Sequence, residues 1–108
     1  MLGDGFAVKK HGRLGGPKER LVRLEGDAIV WDSARSGRGV AVADIVDVRR
    51  AFSGRPRPPG VEADRCLSLV TRHRAVNLEL PDNEVRELCV DGFGLLMRRP
   101  QLLAGREA

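Results

Sequence analysis

The chain is poor in aromatic residues and cysteine, and it has no long apolar run. Phe, Trp and Tyr make up only 4% of its 108 residues, with one Trp and no Tyr, which argues against a protein that stacks nucleic-acid bases on aromatic rings. Its two cysteines, Cys66 and Cys89, make no disulfide framework and fit a reducing compartment. No apolar stretch approaches the ~20 residues that span a bilayer, and the N-terminus has no signal-peptide core. We therefore expect a cytosolic protein.

The composition favours one packed, basic domain. Hydrophobic residues make up 42% of the chain, which predicts a folded globule rather than disorder. A chain of 108 residues buries about two thirds of its unfolded surface, enough for a core without disulfides. The formal net charge of +4 and the pI near 9.8 suit an anionic partner, such as a phosphoinositide, an inositol phosphate, a nucleic acid or an acidic peptide.

The positive charge is concentrated in one loop near the N-terminus. Residues 9–20 contain five Lys or Arg and one acid, in a Gly- and Pro-rich turn between two short segments of alternating apolar residues. Lys10 and Arg20 lie ten positions apart, but on adjacent antiparallel strands that flank a turn their side chains can converge. A second group of cations, Arg72, His73 and Arg74, joins the last two predicted strands at the same end.

Short runs of alternating or β-branched residues predict an all-β core. About seven closely spaced strands predict an antiparallel sandwich or barrel. In the last of them, Val76, Leu78 and Leu80 face one side, while Ala75, Asn77 and Glu79 face the other. The longest loop, residues 53–60, is rich in Pro and Gly. The predicted strands are Gly5–Lys10, Arg20–Glu25, Ala28–Asp32, Val40–Ala43, Asp44–Arg50, Cys66–Thr71 and Ala75–Leu80.

One amphipathic helix is predicted to close an end of the strands. Asp82 or Asn83 can cap its N-terminus, and Pro100 is predicted to end it, giving a helix over Asn83–Arg99 with a frayed tail after it. Apolar residues recur at helical spacing, which predicts one continuous buried stripe. The stripe consists of Val85, Leu88, Cys89, Phe93, Leu96 and Met97.

A basic loop, many short strands and one terminal helix, in this order, resemble a pleckstrin-homology (PH) domain. Within that family the chain is most similar to the N-terminal PH domain of delta-type phosphoinositide-specific phospholipase C, over about residues 5–97. The resemblance implies a mainly β domain at residues 4–99, built as a seven-stranded, bent antiparallel sandwich or barrel capped by one C-terminal α-helix, and a tail at 100–108. The similar stretches are residues 19–24, 29–31, 44–49, 64–70, 77–80 and 90–93.

The resemblance also implies a headgroup site. Phosphates suit such a site because Arg offers a planar fork of donors, Lys a mobile charge, and Gly-rich backbone additional amides. Two residues depart from the family pattern: Val8 replaces a pocket lysine, and Cys89 replaces the tryptophan of the family's helix. The implied phosphoinositide-binding residues are Lys10, Lys18, Arg20, Arg35, Arg38 and Asn77.

Catalysis and metal binding find no support in the sequence. Ser33 and Ser68 stand in no nucleophile motif, and His11 and His73 have no Cys/His partner at metal-ligand spacing. A phospholipase active site would need its own barrel of about 250 residues. We expect no enzyme activity, no catalytic residues, no metal and no cofactor.

Two classes of function remain. The first is a module that binds a phosphoinositide-containing membrane or a soluble inositol phosphate and recruits a larger protein, which would be cytoplasmic and peripherally membrane-associated. The alternative is a PH-like domain that has lost specific lipid binding and binds a protein through its sheet edge or helix. Nucleic acid is a distant third, because a recognition helix is missing.

The cations at 49–50 and 55–57 are predicted to lie at the opposite end from the basic loop, while Trp31 and Cys89 are predicted core residues.

Overall fold

The computed structural model describes residues 5–12, 16–31 and 39–107, and the side chains of these residues as far as Arg98. Within them, seven strands precede one long helix, and two short 3-10 turns, Val42–Asp44 and Ala63–Arg65, each lead into a strand. The elements are β1 (Phe6–His11), β2 (Lys18–Glu25), β3 (Ala28–Trp31), β4 (Gly39–Ala41), β5 (Ile45–Arg49), β6 (Cys66–Thr71), β7 (Ala75–Glu79) and α1 (Asn83–Glu107).

All seven strands belong to a single antiparallel sheet in the order β4-β3-β2-β1-β7-β6-β5. Side chains from both halves of this sheet, such as Ile29 of β3 and Leu69 of β6, belong to the same buried cluster. One flat sheet cannot bring its two halves to a common core, so the strands must curve around it. The seven antiparallel strands and the single C-terminal helix confirm the predicted fold class.

Two local features show how the sequence directs the chain. Gly26 has a φ of +61° in the two-residue turn between β2 and β3, the left-handed conformation that a tight hairpin requires. The strand predicted at Val40–Ala43 is shorter than expected, because the chain enters a 3-10 turn at Val42. The amide of Val42 donates to the carbonyl of Asp27 at 2.8 Å, outside the strand pairing.

The helix begins where the sequence predicts and ends later. Asp82 caps it, since its carboxylate accepts the amide of Val85 at 2.9 Å. The predicted end at Arg99 is wrong: α1 continues through Pro100 to Glu107. A proline inside a helix removes one backbone hydrogen bond and crowds the carbonyl four residues earlier, but its fixed φ is close to the helical value. The residues that follow include strong helix formers such as Leu and Ala.

The buried face of α1 differs from the predicted stripe at one residue. Cys89 and Phe93 are fully buried as predicted, but Leu88 is 50% exposed. Arg86 is buried instead, because its guanidinium donates to the carbonyls of Arg50 at 3.2 Å, Ala63 at 3.4 Å and Cys66 at 3.1 Å. The start of the helix therefore packs on backbone acceptors, which turns Leu88 toward solvent.

Candidate functional site: the basic rim

The register of β1 and β2 sorts the charged residues onto two faces. Lys10 lies opposite Lys18, and Val8 lies opposite Arg20. Residues directly opposite share a face, and alternate residues of one strand share it too. Since Val8 is a core residue, Lys10, Lys18 and Arg20 all project from the core-facing side of the sheet, at the end where β1 and β2 meet.

The neighbouring charges lie on the other face. Lys9 of β1 is opposite Glu19 of β2 and also opposite Glu79 of β7. Strand alternation thus directs both Glu79 and Glu19, which lies between Lys18 and Arg20 in the sequence, away from the basic residues. Three cations predicted from the sequence are brought together on a face that excludes these acids.

A fourth cation arrives from the turn between β6 and β7. The Arg74 guanidinium lies 5.5 Å from the centre of the Trp31 ring, and the Lys10 Nζ lies 5.6 Å from it. Arg74 is anchored there because it also donates to the carbonyl of Gly39 at 3.1 Å. The four residues Lys10, Lys18, Arg20 and Arg74 are called the basic rim below.

Trp31 forms the floor of the basic rim. It is a core residue, 1% exposed, as predicted. Its indole N–H has no hydrogen-bond partner among the residues that the structure describes. A cation over the face of a tryptophan ring is attracted by the ring's negative face, so Trp31 helps to hold Lys10 and Arg74 at the rim.

Two lysines of the rim lie side by side on adjacent strands. Lys10 and Lys18 are directly opposite each other on adjacent strands, a placement that destabilises a sheet when the charges are alike. Arg20 lies on the same face two residues further along β2 and donates to its neighbour's carbonyl, that of Glu19, at 2.9 Å. A bound anion would relieve the repulsion and would stabilise the folded state by mass action.

A groove of about 600 Å³ opens beside the basic rim, between the end of β1, residues 53–55 and the β6–β7 turn. Lys10, Arg55 and Arg74 contribute its positive charge. Arg55 was predicted at the opposite end of the sheet, and this prediction is wrong: its guanidinium donates to the carbonyl of Gly12. The groove therefore extends the positive surface beyond the rim.

Asn77, the remaining predicted ligand on a strand, lines the same groove as Lys10 and Arg74 but projects from the other face of the sheet. It lies opposite His11 on β1 and therefore on the face away from Lys10. Its amide is bonded to the backbone of Ser53, accepting the amide at 3.0 Å and donating to the carbonyl at 3.1 Å. Asn77 thus fixes the loop that carries Arg55 across the outside of the sheet.

Two predicted site residues are not placed by the structure, and one cation is added to the predicted set. Arg35 and Arg38 lie outside the described residues, so their roles stay predictions. The structure adds Arg74 to the predicted set, and the signal for it was the Arg72-His73-Arg74 run at the predicted end of the sheet. The path of residues 53–60, which decides where Arg55 lies, has no such local signal.

The outer face near the rim is closed by a small polar cluster. His11 Nε2 lies 3.0 Å from a carboxylate oxygen of Glu79, and the His11 and Phe52 rings have centres 4.8 Å apart.

No group of three or more His, Cys, Asp or Glu that could hold a metal ion occurs in the described ranges. Burial raises the pKa of the Cys66 thiol and raises that of Cys89 to about 11, so both behave as protonated core residues near neutrality.

Comparison with known proteins shows the fold. No family model matches the chain, and no curated protein matches it. Among solved structures, S. officinalis PLC21 has a TM-score of 0.74 and 15% identity, over 90% of this chain and 16% of that chain. Inner Membrane Complex Sub-compartment Protein 3 from Toxoplasma gondii has a TM-score of 0.70 and 11% identity, over 94% of this chain and 80% of that chain. The N-terminal PH domain of human ARAP2 has a TM-score of 0.69 and 17% identity, over 91% of this chain and 81% of that chain.

The matches confirm the predicted PH fold, and a PLC protein is among them, as the sequence resemblance predicts. This chain spans about one sixth of PLC21, so the match concerns one domain of that protein. Among the described helices, none has the length and apolar character needed to cross a membrane.

Proposed function

We propose that the basic rim binds the phosphate groups of a phosphoinositide headgroup or of a soluble inositol phosphate. The observation that supports this most strongly is that Lys10, Lys18 and Arg20 share one face of β1 and β2, while Arg74 joins Lys10 beside the Trp31 ring. Arg35 and Arg38, in the neighbouring predicted loop, would add attraction. The module would then recruit a larger protein to the cytoplasmic surface of a membrane, and it would have no catalytic role.

The chemistry of the rim suits a cluster of phosphates. Lysines supply mobile charges and arginines supply planar forks, and each charge-assisted hydrogen bond contributes about 1.5–3 kcal/mol. Three or four such bonds, less the cost of association, correspond to a dissociation constant of about 1 μM or weaker. Val8, which offers no charge where the related domains have a lysine, weakens the expected affinity.

Adjacent lysines give a matched test. Lys10 belongs to the rim, while Lys9 is exposed on the opposite face of the same strand. Lys10→Ala should weaken binding to vesicles containing phosphatidylinositol bisphosphate by about tenfold, the loss of one charge-assisted bond. Lys9→Ala, with the same change of net charge, should bind nearly as the unmodified protein does. Sedimentation of the protein with vesicles measures both.

Further arms separate the sources of the phosphate. Vesicles of phosphatidylcholine alone should not bind, and calorimetry with soluble inositol trisphosphate should show the same order of variants. Raising the salt concentration should weaken binding because exposed charges are screened. Equal losses in Lys9→Ala and Lys10→Ala, or equal binding to vesicles without phosphoinositide, would refute a specific site at the rim.

The alternative function, a PH-like protein-interaction domain, is favoured by one separate observation. Leu88 and Leu95 on α1 are 50% and 62% exposed, and neither contributes to the basic rim. If the rim variants have no effect on vesicle binding while variants of this helix abolish capture of a protein partner, the function is protein interaction and not lipid binding.

A further inference from the structure

The loop between β5 and β6 contains a proline-rich segment that the proposed function does not use. Residues 50–62 belong to no strand or helix, and within them the sequence runs Arg55-Pro56-Arg57-Pro58-Pro59. Three of the six prolines of the chain fall in this stretch, so its backbone is constrained more than that of the rest of the loop. Residues 55–59 are called the proline segment below.

The prolines favour an extended backbone in this segment. A proline holds its own φ at about −65°, and it moves the residue before it away from the helical region toward the β and polyproline II regions. Arg55, Arg57 and Pro58 each precede a proline. The sequence therefore favours polyproline II along the segment, a left-handed helix with about three residues per turn and no internal hydrogen bonds. The structure agrees, since residues 56–58 form no helix, strand or turn.

The rest of the fold holds both ends of the proline segment in place. Before it, the Asn77 amide makes two hydrogen bonds with the backbone of Ser53, at 3.0 and 3.1 Å. After it, the side chain of Val61 is buried, and the Val61 amide donates to the carbonyl of Pro58 at 3.3 Å. The Arg57 guanidinium donates to the Val61 carbonyl at 2.6 Å. A segment that is already ordered in this way loses little conformational entropy when it binds a partner.

The proline segment presents two prolines and two cations to solvent. Pro56 and Pro59 are exposed, whereas Pro58 is half-buried. Because a polyproline II helix has about three residues per turn, prolines three positions apart lie along one edge of it. Arg55 and Arg57 are exposed as well, so positive charge flanks the ridge that the two proline rings form.

We propose that the proline segment binds a protein domain whose groove is lined by aromatic rings and bordered by acidic side chains. Segments of the form P-x-x-P dock in aromatic-lined grooves, because their preformed extended backbone keeps the entropic cost low. Pro56 and Pro59 have this spacing. The two arginines favour an acidic border through charge complementarity. The proposal does not depend on headgroup binding at the basic rim.

The test measures binding of the whole chain to a panel of purified SH3 and WW domains, whose grooves are lined by aromatic rings. Calorimetric titration should find at least one domain that binds, and a synthetic polyproline peptide should compete with the chain for it. Pro56→Ala and Pro59→Ala should each weaken binding to that domain by about tenfold or more, because a ring contact is lost and the free segment gains backbone freedom. Pro81→Ala is the matched control, since Pro81 is an exposed proline outside the loop, and it should leave binding unchanged.

A charge reversal tests the acidic border of the groove. Arg55→Glu should weaken binding to the same domain, whereas Lys9→Glu, which makes the same change of net charge at an exposed site on β1, should not. Equal losses in these two variants overturn the acidic border.

Two results overturn the proposal as a whole. One is that no domain of the panel binds at the highest soluble concentration. The other is a domain that binds Pro56→Ala and Pro59→Ala as tightly as it binds the unmodified protein, because it then contacts another surface. Circular dichroism melting confirms that each variant is folded.

Discussion

Cations are used in opposite ways at the helix-capped side of the sheet and at the basic rim. Beneath the start of α1, the Arg86 guanidinium is surrounded by three backbone carbonyls of its own chain, and the exposed Arg50 donates to both carboxylate oxygens of Glu87 at 3.2 and 2.9 Å. At the rim, strand alternation gathers lysine and arginine and directs Glu19 to the other face. An arginine surrounded by internal acceptors serves the fold. Cations gathered on one face of the sheet are suited to an anionic ligand.

The strongest test of this contrast is the removal of the buried cation. Arg86→Met keeps most of the side-chain stem but leaves three carbonyls without their donor, so the free energy of unfolding should fall by about 3 kcal/mol. Urea denaturation followed by circular dichroism measures the change. Arg50→Ala, which breaks an exposed ion pair on the same side, should have a much smaller effect. Equal effects of the two substitutions would show that Arg86 contributes no more than a surface residue.

The pH dependence of stability tests how well the helix-capped side of the sheet shields Cys89 from water. Burial raises the pKa of Cys89 from 9.0 to about 11, so the folded state holds this proton more tightly than the unfolded chain does. The contribution is fully present below pH 9 and is lost as the pH rises toward 11, where the free energy of unfolding should have fallen by about 2 kcal/mol. Denaturation at a series of pH values measures the slope.

Cys89→Ala provides the control for this pH series. The substitution should lower the stability below pH 9 because it opens a cavity, and most of the fall between pH 9 and 11 should disappear. A slope that is unchanged in Cys89→Ala would assign the pH dependence to other groups.

The smallest expected effect tests the repulsion at the rim. Lys18→Glu places an acid opposite Lys10, so the free protein should become more stable by about 0.5 kcal/mol, while binding to phosphoinositide vesicles should weaken. These opposite changes distinguish a binding site from a structural one. Lys9→Glu, which would face Glu19 and Glu79 on the other side of the sheet, should lower stability and leave vesicle binding nearly unchanged. If Lys18→Glu destabilises the free protein, the two lysines do not oppose each other as the register indicates.

Features set by neighbouring residues could be predicted from the sequence. The bounds of β6, Cys66–Thr71, are those expected from its apolar run, and α1 begins at Asn83 after the predicted aspartate cap. The convergence of Lys10, Lys18 and Arg20 also follows from local information, because a hairpin of known register fixes which side chains share a face.

Features set by distant parts of the chain could not be predicted in this way. Leu88 fits an apolar stripe, but the carbonyls that bury Arg86 come from residues 20 to 36 positions away in the sequence. Arg55 reaches the basic end because Asn77 holds Ser53, a contact across 24 residues. Helical periodicity describes which residues are apolar and says nothing about where acceptors from other segments converge.

The position of Trp31 gives the protein a built-in optical reporter. It is the only tryptophan of the chain, so its emission comes from one place, the floor of the basic rim. Two cations stand 5.6 and 5.5 Å from its ring, and their field acts on the excited indole. An anion that draws Lys10 and Arg74 away from the ring alters that field, so occupancy of the rim can be followed by intrinsic fluorescence in the unlabelled protein.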